Sequence, residues 1–227
     1  MKHLLIAGAA LLTLTACGGG GAEESATDKI AKISQTIETN NDPEALNKAE
    51  AELTTIINAA TAARNKAIAA KNKTTAAKNK TIGSAFLTKN AATEGVKTTD
   101  SGLQYKVVQA GLENGAQAEV GQEIAAHYHG YFIDGEIFDS SYRRGQPLIG
   151  PSNGFIKGWN ESLGEMKVCE ARTLYINSDL AYGDNGRGGI PAGATLLFNM
   201  QLLAVKGAGD EIYECPEDKV LAGPEAY

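Results

Sequence analysis

The chain has 227 residues, a formal net charge of −6 and a hydrophobic content of 43%. These values are ordinary for a globular protein and exclude the biased compositions of disordered and fibrous chains. The charge is uneven, because residues 53–93 carry seven bases and no acid, whereas residues 94–227 carry 19 acids and 10 bases. The basic segment lacks the interleaved aromatic residues of single-strand binders, so we predict a solvated helix and no nucleic-acid partner.

The chain begins with the features of an export signal. A basic start is followed by an apolar stretch, residues 4–14, which is too short to span a bilayer. Leu14-Thr15-Ala16-Cys17 then resembles the bacterial lipobox, which implies cleavage before Cys17 and lipidation of that residue. The alternative is an ordinary secretory signal with an unrelated cysteine.

We therefore predict a lipoprotein signal peptide over residues 1–16 and a lipidated cysteine with a flexible tether over residues 17–27. The lipid would attach the protein to a membrane. Gly18 is not the aspartate associated with inner-membrane retention in some bacteria, which favours the outer membrane, facing the periplasm or the cell surface.

The remaining cysteines agree with an oxidising compartment. Two cysteines in an exported protein, here Cys169 and Cys215, favour a disulfide that would attach the C-terminal tail to the preceding domain. The alternative is two free thiols too far apart to meet, because disulfide geometry is strict. No Cys-x-x-Cys motif is present, so we predict no metal site at these cysteines.

Helical patterns dominate residues 28–93. A short segment begins at Asp28 and carries Ile30, Ile33 and Ile37 at helical spacing. After a break at Asn40-Asn41, Asp42-Pro43-Glu44 has the capping carboxylate, early proline and early acid of a helix start.

A seven-residue repeat marks the long helix that follows. Its apolar seam is strong from Leu46 to Ile57 and poor beyond Ala60. We therefore predict that its first half forms a hairpin with the preceding short helix, or pairs with a second copy of the chain as a homodimer. The second half is expected to be a solvated stalk. The repeated unit is a basic residue, asparagine and lysine, at residues 64–66, 71–73 and 78–80.

Short strands replace the helical pattern after a polar boundary at Thr98–Gly102. We predict an α+β fold in which an antiparallel β-sheet wraps around a short helix, preceded by the helical hairpin and long stalk helix. The expected limits are 28–93 for the stalk, 94–206 for the main domain and 207–227 for an irregular tail. Strands are predicted at residues 103–108, 123–133, 172–176 and 195–205, and the helix at residues 155–163.

Four motifs within this domain keep one order and sensible spacing. They are His127-Tyr128-His129-Gly130, Phe138-Asp139-Ser140-Ser141, Gly158-Trp159 and Ala181-Tyr182-Gly183. Together they resemble the FKBP-type peptidyl-prolyl cis-trans isomerases, and the helical region resembles that of macrophage infectivity potentiator-like and FkpA-like lipoproteins. The resemblance implies an isomerase that assists folding of exported or surface proteins at X-Pro bonds, with no metal or cofactor.

The resemblance also implies the residues of the pocket. Trp159 would form its floor, and Asp139 would be a buried carboxylate near Tyr128 and Arg144. A backbone N–H at Ile156 and the Tyr182 hydroxyl would donate to substrate carbonyl groups. The implied catalytic residues are Tyr128, Phe138, Asp139, Ile156, Trp159, Tyr182 and Phe198. The implied substrate-binding residues are Arg144, Phe155, Ile190 and Leu148.

An apolar pocket suits this chemistry. An X-Pro bond isomerises over a barrier of about 18–20 kcal/mol, because amide resonance must be lost. The twisted amide is less dipolar than either planar form, so an apolar pocket penalises the planar forms more. His127 and His129 would lie on the opposite face of the strand, where we expect them to be surface residues and not metal ligands.

Some positions differ from the usual family pattern. Leu148–Gly154 is shorter and less aromatic, Phe155 replaces a usual valine, and Cys169 stands where glycine is common. These changes put the rate and the binding of rapamycin-type macrolide inhibitors in question. Two alternative functions remain open: a chaperone that binds proline-containing segments with little catalysis, and a surface interaction module whose basic helix binds polyanions.

Overall fold

The computed structural model describes residues 26–39, 41–207, 209 and 211–227. The predicted signal peptide and Cys17 lie outside the described residues. The chain forms two compact units, and the division between them falls between Ala67 and Ile68. Among the helices that the structure describes, none is both long and apolar enough to cross a membrane.

Two helices build the first unit. Helix α1 spans Ala26–Thr39, and helix α2 spans Pro43–Asn90, continuing into the second unit. The Glu44 N–H donates to Asp42 Oδ1 at 3.2 Å, which is the helix cap that the sequence predicted. Ile33 and Ala49 are each 6% exposed and line one groove, so the start of α2 packs against α1 as the predicted hairpin.

The end of α2 differs from the prediction of a solvated stalk. Residues 61–71 are exposed, but a stripe from Asn72 to Asn90 is covered by the rest of the second unit, so the prediction is wrong for these turns. Much of the stripe consists of small residues, which allow close approach, and of asparagines, which form hydrogen bonds. Apolar periodicity does not detect such a surface. Its buried or half-buried members are Asn72, Thr75, Ala76, Asn79, Lys80, Gly83, Phe86, Leu87 and Asn90.

The described strands of the second unit form one antiparallel sheet of eight strands, which confirms the predicted fold class. The strand order is β1-β2-β6-β7-β3-β4, with β5 paired to β3 and β8 paired to β7. The strands are β1 Val96–Thr98, β2 Gln104–Gln109, β3 Glu123–Phe132, β4 Ile137–Ser140, β5 Leu148–Pro151, β6 Ala171–Ile176, β7 Leu196–Lys206 and β8 Ile212–Glu214.

Helix α3 is a single turn, Ser141–Arg144. Helix α4, Lys157–Glu165, packs on one face of this sheet, the inner face, close to where the sequence predicted the short helix. A Cβ atom added to Gly158 would lie 2.8 Å from Cγ2 of Ile176, so glycine lets the helix approach the sheet. Leu163 is fully buried in the core between them, together with Leu174 and Met200.

The C-terminal tail covers the outer face of the sheet. Strand β8 pairs with the end of β7, and a disulfide joins Cys169 to Cys215 with the sulfur atoms 2.13 Å apart. Gln201 Nε2 then donates to the Lys219 carbonyl oxygen at 2.8 Å. The prediction of an irregular tail is therefore wrong in part, because the tail contains strand β8 and two short 3-10 helices.

The end of this tail lies near the two histidines that we expected at the surface. Both His127 and His129 lie on the face opposite Tyr128, as expected, but each is only partly exposed. The His127 ring stacks on Tyr142 with the ring centroids 4.5 Å apart. Tyr142 and Tyr227 have their hydroxyl oxygens 3.4 Å apart, and burial raises the pKa of the Tyr227 phenol.

Candidate active site

Strand β3 directs Tyr128 toward the inner face of the sheet. Residues alternate between faces along a strand, so Tyr128 and Gly130 share the inner face while the histidines beside them do not. A Cβ atom at Gly130 would lie 2.7 Å from the Phe138 ring and 2.8 Å from the Phe198 ring. The glycine of the His-Tyr-His-Gly motif therefore makes room for two aromatic side chains.

Trp159, on α4, packs against the rings of Tyr128 and Phe198. Its centroid lies 4.9 Å from that of Tyr128 and 5.1 Å from that of Phe198, with edge-to-face angles of 81° in both pairs. The ring centroids of Phe155 and Trp159 are 5.5 Å apart. Edge-to-face pairs of this kind stabilise one fixed arrangement of rings.

The Trp159 indole is 4% exposed, and its Nε1 donates to no group among the described residues. Buried polar side-chain atoms usually have a partner, and exceptions tend to occur where a site serves function. The unpaired donor lies at the base of the aromatic cluster.

The rings enclose one side of an open cleft of about 650 Å³. Every predicted pocket residue except Arg144 lines it. The lining residues are Tyr128, Phe138, Asp139, Leu148, Gly154, Phe155, Ile156, Lys157, Trp159, Ala181, Tyr182, Arg187, Gly188, Gly189, Ile190 and Phe198.

Asp139 is held by its neighbours at the edge of the cleft. Tyr128 Oη donates to Oδ2, Arg144 Nη1 donates to Oδ1, and the Ser140 N–H donates to Oδ1 at 2.8 Å. The Asp139 side chain is 43% exposed, so the expectation of a buried carboxylate is wrong. Its oxygens accept bonds from fixed donors, an arrangement that orients Tyr128 and Arg144.

Arg144 completes this network without lining the cleft. It ends the short helix α3, Ser141–Arg144, and its Nη2 donates to Tyr128 Oη at 2.7 Å. Burial, followed by the hydrogen bond to Asp139, raises the pKa of Tyr128 to about 12. Tyr128 is therefore a neutral phenol at physiological pH.

Two hydrogen-bond donors lie on the rim of the cleft. Ile156 immediately precedes α4, and Tyr182 begins a glycine-rich loop that continues to Ile190. Within the described part of the chain, neither the Ile156 N–H nor the Tyr182 hydroxyl is engaged by another group. Both remain able to donate to a bound peptide.

Sequence reasoning missed two cations on this rim, Lys157 and Arg187. Both are exposed, and neither forms an ion pair with any described residue. The charge of Asp139 is balanced by Arg144, so the mouth of the cleft is locally positive in an acidic domain. The available signals were the position of Lys157 directly after Ile156 and of Arg187 between glycines.

The described residues contain no cluster of three or more histidine, cysteine or acidic side chains suited to a metal ion. His127 Nδ1 instead lies 2.9 Å from the Ser141 hydroxyl, and His129 Nδ1 lies 3.2 Å from the Ser140 hydroxyl. The histidines of the motif thus connect β3 to the start of α3. The cleft itself offers rings and hydrogen-bond donors.

The sequence and the fold both match one family of known proteins. The family model for FKBP-type peptidyl-prolyl cis-trans isomerase matches residues 114–203, and the model for the domain amino terminal to it matches residues 21–107. The crystal structure of FkpA from Escherichia coli is 32% identical, covers 84% of this chain and 83% of its own, and has a TM-score of 0.57. The chain belongs to the FKBP-type peptidyl-prolyl cis-trans isomerase family.

Curated relatives agree with this assignment. The peptidyl-prolyl cis-trans isomerase Mip of Coxiella burnetii is 45% identical over 54% of this chain and 53% of its own length. The outer membrane protein MIP of Legionella longbeachae is 37% identical over 56% of this chain and 54% of its own. The chain thus spans about half the length of the curated relatives it matches.

Proposed function

We propose that this member of the FKBP family catalyses cis-trans isomerisation of X-Pro bonds in exported or surface proteins and thereby assists their folding. The observation that carries the proposal is the cleft, in which the floor residue Trp159 is surrounded by Tyr128, Phe155 and Phe198. An aromatic site of this kind fits the compact, apolar proline ring. Uncatalysed isomerisation takes tens of seconds or longer, so folding chains benefit from a catalyst.

The rim would hold the peptide on both sides of the proline. Since no group in the described ranges of the chain engages the Ile156 N–H or the Tyr182 hydroxyl, both would donate to carbonyl oxygens of the substrate. Leu148, Ile190 and Phe138 line the same cleft and would contact the flanking residues. Substrate orientation would therefore come from two hydrogen bonds and shape.

Catalysis would arise from stronger binding of the twisted amide than of the planar one. Rotation reduces the amide dipole, and an apolar cleft disfavours the more dipolar planar state. The oxygens of Asp139 accept from Tyr128, Arg144 and the Ser140 N–H, so we assign Asp139 a role in fixing the polar edge of the cleft and not proton transfer.

The proposal is tested by the cis-to-trans rate of a short Xaa-Pro peptide in a protease-coupled assay with the full chain. We expect clear acceleration, a large loss with Tyr182→Phe and Trp159→Ala together, and no loss with Tyr213→Phe at an exposed tyrosine. Circular dichroism would verify that each variant is folded. A folded wild-type chain that binds the peptide without acceleration would contradict the proposal and favour the chaperone alternative.

We further propose that the mature chain starts at Cys17 and is anchored by lipid in the outer membrane. The lipobox-like sequence supports this, as does the Cys169–Cys215 disulfide, which suits an oxidising compartment. Labelling of bacterial cells with an alkyne fatty acid should tag the wild-type protein and not a Cys17→Ser variant. Equal labelling of both would refute the anchor.

The helical region and the cleft suggest two further ligands. Ile57 on α2 is 52% exposed, and a second copy of the chain could cover it. Sedimentation of the wild type and of Ile57→Lys would detect a dimer and its loss. A rapamycin-type macrolide should compete with the Xaa-Pro peptide for the cleft, and failure to compete would remove that ligand from the proposal.

A further inference from the structure

The last turns of α2 bind one loop of the isomerase cleft. Asn79 Nδ2 donates to the Ala192 carbonyl oxygen at 2.8 Å, and Asn72 Nδ2 donates to the Asn185 carbonyl oxygen at 3.4 Å. Lys80 Nζ lies 2.6 Å from Asp184 Oδ1. The asparagines and Lys80 belong to the seven-residue repeat of α2.

The helix approaches this loop as closely as glycine permits. A Cβ atom on Gly193 would lie 2.5 Å from the Ala76 carbonyl oxygen, and Gly193 also has a φ of 71°. A Cβ atom on Gly83 of the helix would lie 2.1 Å from Thr195 Oγ1. Ala76 is 3% exposed. The contact is thus a packed interface and not an accidental approach of surface side chains.

The contacts fall on the two stems of the loop. The Gly193 N–H donates to the Gly183 carbonyl oxygen at 2.9 Å, which closes the loop at its base. The helix binds one stem next to Gly183 and the other next to Gly193. The residues between the stems, including Arg187 and Ile190, line the cleft.

Lys80 has a second effect, on charge. It also lies 2.9 Å from Asp179 Oδ1, so one lysine faces two carboxylates. The two side chains of this acidic pair are 75% and 64% exposed, and without the lysine they would repel each other. These contacts raise the pKa of Lys80, chiefly through the hydrogen bond to Asp184.

From this geometry we infer that Asn79 and Lys80 are positioning residues for the substrate loop, so that α2 sets the affinity of the cleft for X-Pro segments. The inference rests on the proposed function, because it concerns the same cleft. Loss of the contacts would let the stems move and displace Tyr182 and Ile190 from the peptide. Small displacements of a binding constellation are costly.

The repeat provides matched controls on the same helix. Asn65 and Lys66 occupy the equivalent positions two repeats earlier, and both are exposed. Asn65→Ala with Lys66→Ala therefore changes the same residue types in the same helical context. Asn79→Ala with Lys80→Ala is the test pair, and Lys80→Arg is the conservative variant that keeps a cation between the two carboxylates.

The experiment measures binding and turnover separately in the full chain. Trp159 is the single tryptophan and lines the cleft, so its fluorescence reports Xaa-Pro peptide binding without need of catalysis. For the test pair we expect Kd and KM to rise about 3- to 10-fold, because one or two hydrogen bonds are lost. We expect kcat to change much less. The control pair and Lys80→Arg should stay near the wild type.

Equal Kd in the test and control pairs would overturn the inference, as would an equal fall in kcat for both pairs. If the test pair does not fold, the single variants Asn72→Ala and Lys80→Gln replace it. Each single variant is expected to raise Kd by a smaller factor. A wild type that binds peptide but does not turn it over would refute the proposed function and still leave the comparison of Kd values valid.

Discussion

The two faces of the sheet are built from the same strands but serve different ends. On the inner face, Tyr128 and Phe198 are rings that border an open cleft. On the outer face, one residue away on each strand, His127 and Asn199 are polar. The His127 ring stacks on Tyr142, and Asn199 Nδ2 donates to the Pro224 carbonyl oxygen of the C-terminal tail. The inner face therefore offers surface to a ligand, while the chain itself satisfies the outer face.

The two faces also differ in how they are closed. The tail that covers the outer face is held by Gln201, which donates to the Lys219 carbonyl oxygen and accepts from the Leu221 N–H, and by the Cys169–Cys215 disulfide. The inner face is filled by α4 except at the cleft, where the Trp159 Nε1 has no partner among the described residues. The outer face thus contributes mainly to stability, whereas the inner face also provides the ligand site. Substitutions on the two faces should therefore affect different measurements.

The largest expected effect concerns the buried cation of the inner face. Arg172 is 4% exposed, and its Nε donates to Glu170 Oε1 at 2.6 Å, while its guanidinium lies 4.2 Å from the Tyr105 ring centroid. Arg172→Ala leaves the buried Glu170 carboxylate with the Lys167 N–H but without a cation, and should lower the free energy of unfolding by about 3–5 kcal/mol. Urea denaturation measures this.

Arg143→Ala is the control for that change, because Arg143 is exposed on α3 and carries the same charge. It should alter the free energy of unfolding by less than about 0.5 kcal/mol. Similar effects from the two arginines would show that the inner face does not depend on its buried ion pair.

The next effect concerns the disulfide of the outer face. Removing it with Cys169→Ala and Cys215→Ala opens a link across 46 residues and should cost about 2–4 kcal/mol of unfolding free energy. Neither cysteine lines the cleft, so peptide affinity of the folded variant should change little. A folded variant that loses affinity would contradict the separation of the two faces.

A second version of this variant sharpens the result. Cys169 has a φ of 73°, in the left-handed region that favours glycine. Cys169→Gly with Cys215→Ala should therefore be about 1 kcal/mol more stable than the alanine pair. Equal stabilities would mean that the backbone at residue 169 relaxes once the bond is absent.

The sequence predicted the inner face far better than the outer one. The motifs around Tyr128 and Trp159 predicted the rings because aromatic and glycine positions there are tightly constrained by packing. Nothing comparable marks the tail, since Gln201 and Asn199 bind its backbone carbonyl groups, and backbone groups carry no sequence signal. Only the cysteine count indicated that the tail would be attached.

In helix α2, too, the sequence pattern failed to predict contacts that depend on polar side chains and on close backbone approach. Apolar spacing predicted the hairpin at Ala49 but predicted a solvated stalk beyond Ala60. The contacts of Asn79 and Lys80 are polar, and those of Ala76 depend on a glycine far away in the sequence. A pattern search that scores only apolar residues cannot detect such an interface.

A smaller effect is expected from the histidines of the outer face. Burial lowers the pKa of both His127 and His129, so each prefers the neutral form when folded. The unfolded histidines bind protons below about pH 6.5, so the free energy of unfolding should fall as the pH drops below that value. Replacing both with asparagine should flatten its change between about pH 7.5 and about pH 5.5. An unchanged slope would assign the acid sensitivity elsewhere.

The smallest effect concerns the positive rim of the inner-face cleft. Lys157 and Arg187 line its mouth, and no described residue pairs with either, so a substrate with an acidic side chain beside the proline should be preferred. Exposed charge pairs contribute about 0.2–1 kcal/mol, so kcat/KM for Glu-Pro over Lys-Pro peptides should differ by only about 2- to 5-fold. High salt, or Lys157→Gln with Arg187→Gln, should remove the preference, whereas Lys106→Gln on the exposed part of β2 should not. A preference that survives both treatments would have to come from the shape of the cleft and not from its charge.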